Sequence, residues 1–456
     1  MMSSFAEIDP VWAWSPFEPD GEQVWDRALA AHLYRRAGFA ATMEELDAAV
    51  KMGPDACVEH LLRPTGQALA FEQQADALAE TILAGGDPKQ LAAAWTYRLL
   101  HTPFPLLEKT TLFWHGHFAT GADKVADADM MWAQNRLLRK LALGDFEQLV
   151  QGISRDPAML VYLDSVTNRK AHPNENYARE LMELFCLGEG NYSERDVQEL
   201  ARCFTGWEIK NRRFRKNRYQ HDNGSKMVLG QSGNFDGEEA VRVVLQQPAM
   251  PRFIVRKLIH FFVFDEPLAP TPLVDVLAKD FRDNGLQVGP VIAKILRSNL
   301  FYSKYAVARK IRSPIELAIG LLRALAGSTN VVELADQLTQ VGQGLFYPPN
   351  VKGWDGGRTW INSSTLLGRA NLVRRVLEHE KTRFDNGRLD QLMDSHGLQQ
   401  PRDMVAWLSE LLFAVPLPDD VAARLVALAA DASKPEEARI KQLVHAMCTL
   451  PEFQLG

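Results

Sequence analysis

The sequence predicts a mainly α fold: a large multi-helical domain with two long irregular or hairpin loops and a small C-terminal helical appendage. Apolar residues recur at the 3.6-residue period of a helix through most of the 456 residues. Only 207–237 and 343–362 break this period, with clusters of Gly, Asn and Pro. We therefore expect an N-terminal extended segment, 1–27, a main helical domain, 28–385, and the appendage, 386–456.

The first half of the chain shows regular helical periodicity. Thr42 and Glu45 form the capping-box pattern that opens the second of two short helices, which are joined at Gly38. The predicted helices are these two, within 22–62, then 70–84, 88–101, 105–115, 128–142 and 174–187, with a short apolar segment at 154–164.

The second half combines capped helices with the two irregular stretches. Residues 207–237 alternate in polarity and are typical of a β-hairpin or an ordered loop. Capping residues precede several helices: Ser193 with Asp196, Asp236 with Glu239, and Ser363 or Ser364. The predicted helices are 193–204, 236 onward, 252–262, 272–284, 288–298, 313–325, 332–341 and 363–381, followed by a helical tail over 387–455.

Charge and composition exclude several classes of protein. A formal net charge of −6 argues against a nucleic-acid partner, because such proteins are usually basic. The first residues lack the features of a secretory signal, and no stretch approaches the roughly 18 apolar residues of a membrane span. The four Cys are scattered without a CxxC pair, which favours reduced, buried thiols. We expect a cytoplasmic protein with no membrane span.

The first candidate site lies in the segment HPNENYARELMELFCLGEGNYSE, which begins at His172. On a helix, Asn176, Glu180 and Glu183 fall within about 60° of one another, with Arg179 alongside. One interpretation is a solvated face with ion pairs, in which Glu175 only complements the helix dipole. The other is a polar site that binds a ligand.

The second candidate is LFWHGHFAT, with His115 and His117 two residues apart. On a helix the two imidazoles would diverge by about 200°, so they converge only if the chain turns there. Gly116 favours such a turn. Two imidazoles between aromatic residues suit Zn, Mn or Fe, although a core histidine beside an exposed one is the simpler interpretation.

The third and fourth candidates lie in the irregular stretches. His221 and Asp222 are suited to metal binding or general-base chemistry, and they follow a basic run that indicates an anionic ligand. A solvated loop explains the same run. Trp354 and Trp360 lie among glycines and can either stack on a sugar or fill the core.

A series of segments in a fixed order resembles a known family. The segments are LYRRAGFAAT, LEKTTLFWHGHFAT, QNRLLRKLALGDFEQLV, DPAMLVYLD, PNENYARELMELFCLGEGNY, DVQELARCFTGW, FRKNRYQHDNGSKMVLG, GNFDG, FIVRKL, PPNVKGWDGG and TWIN. Together they resemble the bacterial family catalogued as domain of unknown function 1800, over roughly 28–456. The resemblance implies a sulfatase-like neighbour protein as a partner, and it brings no established reaction. The family often has histidine where this chain has Phe185, so a ligand supplied there would be missing.

The candidate residues lie within the segments that carry the resemblance, which favours a shared polar site. The leading hypothesis is a metal-dependent hydrolase or group transferase that acts on an anionic or glycan substrate. Its divalent ion, Zn, Mn or Fe, would be bound by residues from the set His115, His117, Glu175, Glu180, Glu183 and His221. Catalytic roles are predicted for Asp222, Lys226 and Arg179, and substrate binding for Asn174, Asn176, Arg215, Trp354 and Trp360. Two alternatives stay open: a non-enzymatic helical partner or assembly factor for a sulfatase-like protein, and a polysaccharide-binding protein.

Overall fold

The computed structural model describes residues 8–21, 23–63 and 68–456, and it has the mainly α fold that the sequence predicts. Residues 1–7 of the predicted extended segment and Glu22, the predicted start of a helix, lie outside the described residues. The described part of that segment is not wholly extended, because it contains a short helix, α1, at Pro10–Trp14. The Asp9 side chain caps this helix by accepting from the backbone N–H of Val11 at 3.0 Å.

Helices α2 to α8 precede the glutamate-rich candidate segment along the chain. Two helices were predicted within 22–62, and the structure has three there because Gly53, at φ +85°, and Pro54 interrupt the second. Thr42 and Glu45 form the predicted capping box. The helices are α2 (Arg27–Ala37), α3 (Met43–Met52), α4 (Pro54–Leu62), α5 (Ala68–Gly85), α6 (Leu91–His101), α7 (Pro105–His117) and α8 (Ala122–Val125).

The segment predicted as one helix over 174–187 changes its hydrogen-bonding pattern partway. An α-helical part ends at Glu180, and a π-helix continues from Leu181 to Cys186. The backbone N–H of Leu187 donates to Met182 O at 2.8 Å, which is an i→i+5 bond. The helices in this region are α9 (Ala128–Leu141), α10 (Phe146–Ser154), α11 (Pro157–Tyr162), α12 (Asn176–Glu180) and α13 (Glu194–Cys203).

The first irregular stretch, 207–237, contains two β-hairpins. Of the two predicted alternatives, a β-hairpin and an ordered loop, the hairpin is the one observed. Strands β1 (Trp207–Lys210) and β2 (Arg213–Lys216) pair antiparallel, with Trp207 opposite Lys216. Strands β3 (Lys226–Val228) and β4 (Gln231–Gly233) form the second hairpin.

Helices α14–α21 and strand β5 follow the two hairpins. Asn362, and not Ser363 or Ser364, caps α21: its Oδ1 accepts from the backbone N–H of Thr365 at 2.9 Å. The elements are α14 (Gly237–Leu245), α15 (Ala249–Phe262), α16 (Thr271–Asp283), α17 (Val288–Arg297), α18 (Asn299–Tyr302), α19 (Pro314–Ala324), β5 (Gly327–Ser328), α20 (Val331–Gln340) and α21 (Ser363–Glu378).

The C-terminal region is helical, as predicted, and shares the apolar core of the rest of the chain. Strand β6 (Arg383–Phe384) pairs with β5, and helices α22 (Leu389–Ser395), α23 (Pro401–Leu412), α24 (Asp419–Ala429) and α25 (Glu436–Thr449) follow. One cluster of buried apolar residues extends from Ile8 to Phe453. Among the described residues, no helix combines the length and apolar character that crossing a bilayer requires.

Candidate functional site

The last turn of α7 carries both histidines that were predicted to bind a metal. The helix continues through His117, so the predicted turn at Gly116 is absent. Because residues two apart on a helix point in nearly opposite directions, the two imidazoles contact different parts of the molecule. The prediction that they converge was therefore wrong.

His115 is buried and fixes the second irregular stretch against α7. Its Nε2 accepts a hydrogen bond from the backbone N–H of Phe346 at 3.1 Å, and the rings of Trp95 and Trp354 lie beside it. Burial lowers the pKa of His115 to about 3, so the imidazole is neutral and its lone pair is used. The role that this geometry supports is structural.

His117 is also buried, and both of its ring nitrogens have partners. Nε2 lies 2.9 Å from Phe185 O, and Nδ1 lies 3.1 Å from the Lys257 Nζ. A carbonyl can only accept, so Nε2 carries the proton and Nδ1 accepts from the lysine. Burial, and then the charge of Lys257, hold the pKa of His117 well below its ordinary value, in agreement with a neutral ring.

The π-helix positions this pair through its backbone. Leu184 O accepts from Lys257 Nζ at 3.3 Å, and Phe185 O accepts from His117. Both carbonyls belong to the last turn of the segment, where carbonyl groups lack helical donors and carry the negative end of the helix dipole. The glutamate-rich segment therefore contributes to the site through carbonyl oxygens.

A cavity of about 290 Å³ opens beside His117 and Lys257. It lies between α7, α15, the start of α19 and the stretch 343–360. Its aromatic and aliphatic lining is Leu112, Phe113, Phe261, Ile311, Trp354 and Trp360. Its ionisable lining is His117, Lys257, His260, Lys310, Glu316, Lys352 and Asp355.

Lys257 is half-buried and differs from the buried lysines Lys109 and Lys310, because no carboxylate among the described residues neutralises it. Lys310 Nζ lies 2.6 Å from an Asp265 oxygen, and Lys109 pairs with Glu316. Burial lowers the pKa of Lys257 to about 8, and in the described part of the chain no carboxylate counters this effect. The ammonium group donates to His117 Nδ1 and Leu184 O and lies 4.8 Å from the centroid of the Phe253 ring, so one of its three hydrogens has no hydrogen-bond acceptor among the described residues.

Glu316 has the opposite surroundings. Burial raises the pKa of its carboxyl, but the charges of Lys109 and Lys310 outweigh burial and lower it to about 2. Glu316 also completes the capping box of α19 by accepting from Ser313 N at 2.7 Å. Glu316 is therefore a fixed anion in the cavity wall. Because it is ionised near neutral pH, any proton donor of the site must be another group.

The wall that carries Trp354 depends on a close approach of two backbone segments. Gly353 has φ +78°, and a Cβ placed there would overlap Gly116 O of α7. Trp354 Nε1 donates to Gly342 O at 3.1 Å, which fixes the indole in the cavity wall. Both tryptophans predicted to bind substrate therefore line the same cavity as His117.

The polar side chains of the glutamate-rich segment mostly bond to one another. Arg179 pairs with Glu175 at 3.2 Å and with Glu194 at 2.7 Å, and Glu183 accepts from the Tyr192 hydroxyl at 2.8 Å. These groups are partly exposed and lie on the outer side of the segment.

The remaining residues of that segment have different environments. Asn174 bonds to Asp164 O at 3.2 Å and to the backbone N–H of exposed Asn176 at 3.0 Å. Glu180 is half-buried; burial and then Glu183 raise its pKa, and the cavity-rim residue Lys352 opposes them. The charge of Glu180 therefore interacts with that of Lys352, a residue of the cavity lining.

The candidates of the hairpin region bond to one another and to residues at the end of α13 and just after it. His221 Nδ1 lies 2.9 Å from Thr205 O, and Asp222 accepts from Arg202 Nε at 2.7 Å. Lys226 donates to Asp222 O at 2.6 Å and to Phe235 O at 2.8 Å. The structure therefore places His221, Asp222 and Lys226 together, away from the cavity lining.

The basic run before His221 is largely neutralised by acids. Arg212 pairs with Asp127 and Asp129 at 2.8 and 2.6 Å, and Arg215 pairs with Glu208. The anionic ligand expected there would have to displace these carboxylates.

The predicted metal ligands do not form one set. Within residues 8–21, 23–63 and 68–456, no group of three or more His, Cys, Asp or Glu side chains is arranged to hold a metal ion. His115 and His117 use their ring nitrogens on backbone groups and on Lys257. The donor set in this arrangement does not fit a shared divalent ion.

Sequence reasoning missed Lys257, His260, Lys310 and Glu316. Lys257 occurs in FIVRKL, where a cationic residue within an amphipathic helix resembles any solvated position. Glu316 carries a visible signal, the capping box with Ser313, but this signal indicates a helix start and no ligand.

A larger cleft, of about 660 Å³, lies between α2, α3, α4 and β5, and its charged groups support structure. Glu45 belongs to the capping box of α3, and Arg323 donates to Leu100 O and Thr102 O at 3.0 and 3.1 Å. The cavity beside Lys257 is smaller and has an unpaired cation, so it is the stronger candidate.

Comparison with known proteins identifies the family. A family model described as "Protein of unknown function (DUF1800)" matches residues 32–455. Because the match covers more than half of the chain, the chain belongs to this family, as its motifs indicated. No curated protein and no solved structure matches the chain.

Proposed function

We propose that this member of the DUF1800 family is a hydrolase or group transferase that binds an anionic substrate in the cavity beside Lys257. The observation that carries the proposal is the Lys257 ammonium, which faces a 290 Å³ cavity without a carboxylate partner. A partly desolvated cation of this kind gains most from an anionic ligand, because the local dielectric is low.

The walls of the cavity suit a ligand that carries more than a charge. Trp354 and Trp360 offer aromatic faces on which a glycosyl or other apolar group can stack. A carboxylate, sulfate or phosphate would then contact Lys257. An anionic glycan is the substrate class that matches both features.

The pair of Lys257 and His117 supplies the proton chemistry. With a pKa of about 8, roughly one-tenth of Lys257 is a free amine at pH 7, so the group is mainly a proton donor and a small fraction of it can accept a proton. His117 accepts from the ammonium through Nδ1, while Phe185 O fixes its tautomer. In this mechanism Lys257 protonates the leaving group or activates water, and His117 orients it.

Binding tests this proposal first. The probes are sulfated, phosphorylated and uronic-acid disaccharides, with the neutral disaccharide as reference, measured by calorimetry and tryptophan fluorescence. Lys257→Met should weaken anion binding by about 30-fold or more. Lys279→Met, at an exposed lysine of α16, is the control and should bind like the parent. Equal binding by Lys257→Met and the parent would overturn the proposal.

Turnover of the same probes separates catalysis from binding. His117→Gln should keep binding and lower the release of sulfate, phosphate or sugar by about 10²-fold or more. Binding without turnover in the parent would favour the polysaccharide-binding alternative, which the two tryptophans of the cavity also support.

A second candidate is a non-enzymatic partner or assembly factor for a sulfatase-like protein. The observation that favours it is the saturation of the polar motifs by internal hydrogen bonds, such as those of Lys226 and His115. Co-purification with the sulfatase-like neighbour, in the absence of any turnover, would support this candidate.

Dependence on a divalent metal stays a prediction, and no step above passes through one. Metal content measured on protein purified without an affinity tag tests it, beside His115→Ala and Glu180→Ala. Near-stoichiometric metal in the parent, lost in both variants, would require a different arrangement of these side chains from the one described.

A further inference from the structure

A third and much smaller cavity adjoins the cavity beside Lys257 and is lined mainly by cations. It has a volume of about 10 Å³, and its lining is Arg35, Arg36, Phe39, Lys310, Arg312, Glu316 and Gly456. Lys310 and Glu316 line both this small cavity and the 290 Å³ cavity beside Lys257, so the two cavities share a wall. The three arginines and Lys310 are each less than one-tenth exposed.

The arginines of this cavity bond to backbone oxygens. Arg35 Nη1 donates to Leu411 O at 3.3 Å, and Arg312 Nη2 donates to Leu412 O at 2.8 Å. These carbonyls end α23, where the helix dipole favours cations. Arg36 Nη1 donates to Gly456 O at 3.1 Å.

Several donors of the same side chains have no acceptor. Arg35 Nε, Arg35 Nη2 and Arg36 Nη2 are buried and make no hydrogen bond. Buried donors are nearly always paired, with water or an ion where protein groups are missing. Arg35 and Arg36 together have three donor nitrogens without an acceptor. These donors indicate that a bound water molecule or ion accepts from them.

The charges around the cavity do not balance. Six buried cations, Arg35, Arg36, Arg312, Arg369, Lys109 and Lys310, surround two carboxylates, Asp265 and Glu316. Each carboxylate already pairs with its own lysine. The excess of cations holds whether or not Gly456 carries a free carboxylate.

Deprotonation does not remove this excess near neutral pH. Burial, and then Arg312 and Arg36, lower the pKa of Arg35 to about 9, and the pKa of Arg36 is lowered to about 10. Both groups therefore remain charged at pH 7. Carbonyl groups reduce the cost of such burial, but they supply no countercharge.

We propose that this small cavity binds one monovalent, halide-sized anion such as chloride. The volume accommodates one occupant of about the size of a water molecule, which excludes a phosphate or a carboxylate-bearing metabolite. The anion accepts from the free N–H groups of Arg35 and Arg36. It thereby connects α2 with the segment that leads from Arg312 into α19 and with the end of α23.

Thermal unfolding tests the proposal at constant ionic strength, with sodium gluconate replaced stepwise by sodium chloride or bromide. Gluconate is too large for the cavity. The parent should show a saturable rise in Tm of about 2–5 °C in chloride. Arg35→Met should lose this rise and, because it removes one repelling cation, should be no less stable than the parent in gluconate.

Two controls keep the anion site distinct from the substrate site and from general salt effects. Lys257→Met and Arg424→Met, the latter at an exposed arginine of α24, should both retain the rise seen in the parent. The same Tm for the parent in gluconate and chloride, or an equal rise in Arg35→Met, would overturn the proposal. If Arg35→Met does not fold, crystals of the parent grown in bromide decide: an anomalous peak beside Arg35 and Arg36 supports the site, and its absence contradicts it.

Discussion

Lys226 and Lys257 are both lysines placed beside a histidine-containing motif, yet their ammonium groups have different surroundings. Lys226 is almost fully buried and donates to two carbonyl oxygens and to Asn234 Oδ1, so its three hydrogens have acceptors. Lys257 donates to Leu184 O and His117 and faces a cavity. A saturated lysine fixes a hairpin, whereas a lysine with a free hydrogen can bind a ligand.

This contrast explains why some motifs that are rich in polar residues do not line the cavity beside Lys257. The hairpin motif contains more charged residues than FIVRKL, but Asp222, Arg202 and their neighbours use those charges on one another. The number of polar residues in a motif therefore says less about function than the number of hydrogen-bonding groups left unused.

The largest expected effect is on the pH dependence of ligand binding. Anion affinity should fall as pH rises through about 8, approaching tenfold for each further pH unit, because Lys257 loses its proton. In Lys257→Arg the charge persists, so the affinity should be independent of pH over the same range. Calorimetric titrations at several pH values measure this, and a flat profile in the parent would contradict the role of Lys257.

The pKa of Lys257 also predicts how stability changes with pH. Its folded-state pKa lies below the unfolded value, so the unfolded chain binds more protons between these values and the free energy of unfolding should rise with pH there. Relative to Lys257→Met, the parent should gain stability between about pH 8 and 10.4. Urea unfolding of both proteins across this window checks the sign.

Removal of Lys226 should affect stability and leave ligand binding unchanged. Lys226→Met leaves the carbonyls of Asp222 and Phe235 without their donor, which should lower the free energy of unfolding by about 2–4 kcal/mol. Denaturant unfolding measures the loss, and binding of the anionic disaccharides is the control. Weakened binding in a variant of native stability would place Lys226 at a site and remove the contrast with Lys257.

Gly353 tests whether the cavity wall depends on its contact with α7. Gly353→Ala should displace the segment that carries Trp354, because the new Cβ would overlap Gly116 O; we expect a loss of about 2–3 kcal/mol and weaker binding. Gly285→Ala, between α16 and α17, is the matched control: its φ is also positive, at +71°, but nothing lies within 4 Å of a Cβ placed there. That variant should cost about 1 kcal/mol and bind normally. Equal effects of the two changes would mean that backbone strain alone explains the result.

The smallest effect is expected in the glutamate-rich segment, 172–194. Arg179→Ala removes partly exposed ion pairs with Glu175 and Glu194, which should cost no more than about 1 kcal/mol and leave binding unchanged. A large loss of binding would show that the outer face of this segment belongs to the site.

The helices could be predicted because their signals are local. The capping pairs Thr42 with Glu45 and Ser193 with Asp196 form as the sequence indicated, since N-cap bonds join residues three apart. Predictions failed where contacts between distant parts of the chain determine the backbone conformation. Helix α7 continues through Gly116, and the π-helix begins at Leu181 without a visible break in the apolar periodicity.

The site was predictable only in part because its members come from distant parts of the chain. His117, Trp354 and Trp360 were identified as candidates and lie at one cavity. Lys257 was missed, since its proposed role depends on a cavity and on the lack of a carboxylate partner among the described residues, and neither has a sequence signature. The carbonyls of Leu184 and Phe185 belong to a predicted segment, but a backbone group leaves no trace in residue type.

The most direct test of this account is the protonation equilibrium of Lys257 itself. Protein labelled with ¹³C at the lysine Cε can be titrated by NMR, with the Lys257 signal assigned by its loss in Lys257→Arg. The account predicts a pKa of about 8 that rises when an anionic ligand binds. An ordinary value of about 10.4, unchanged by every anionic disaccharide tested, would show that Lys257 is a solvated surface lysine and would contradict the proposed site.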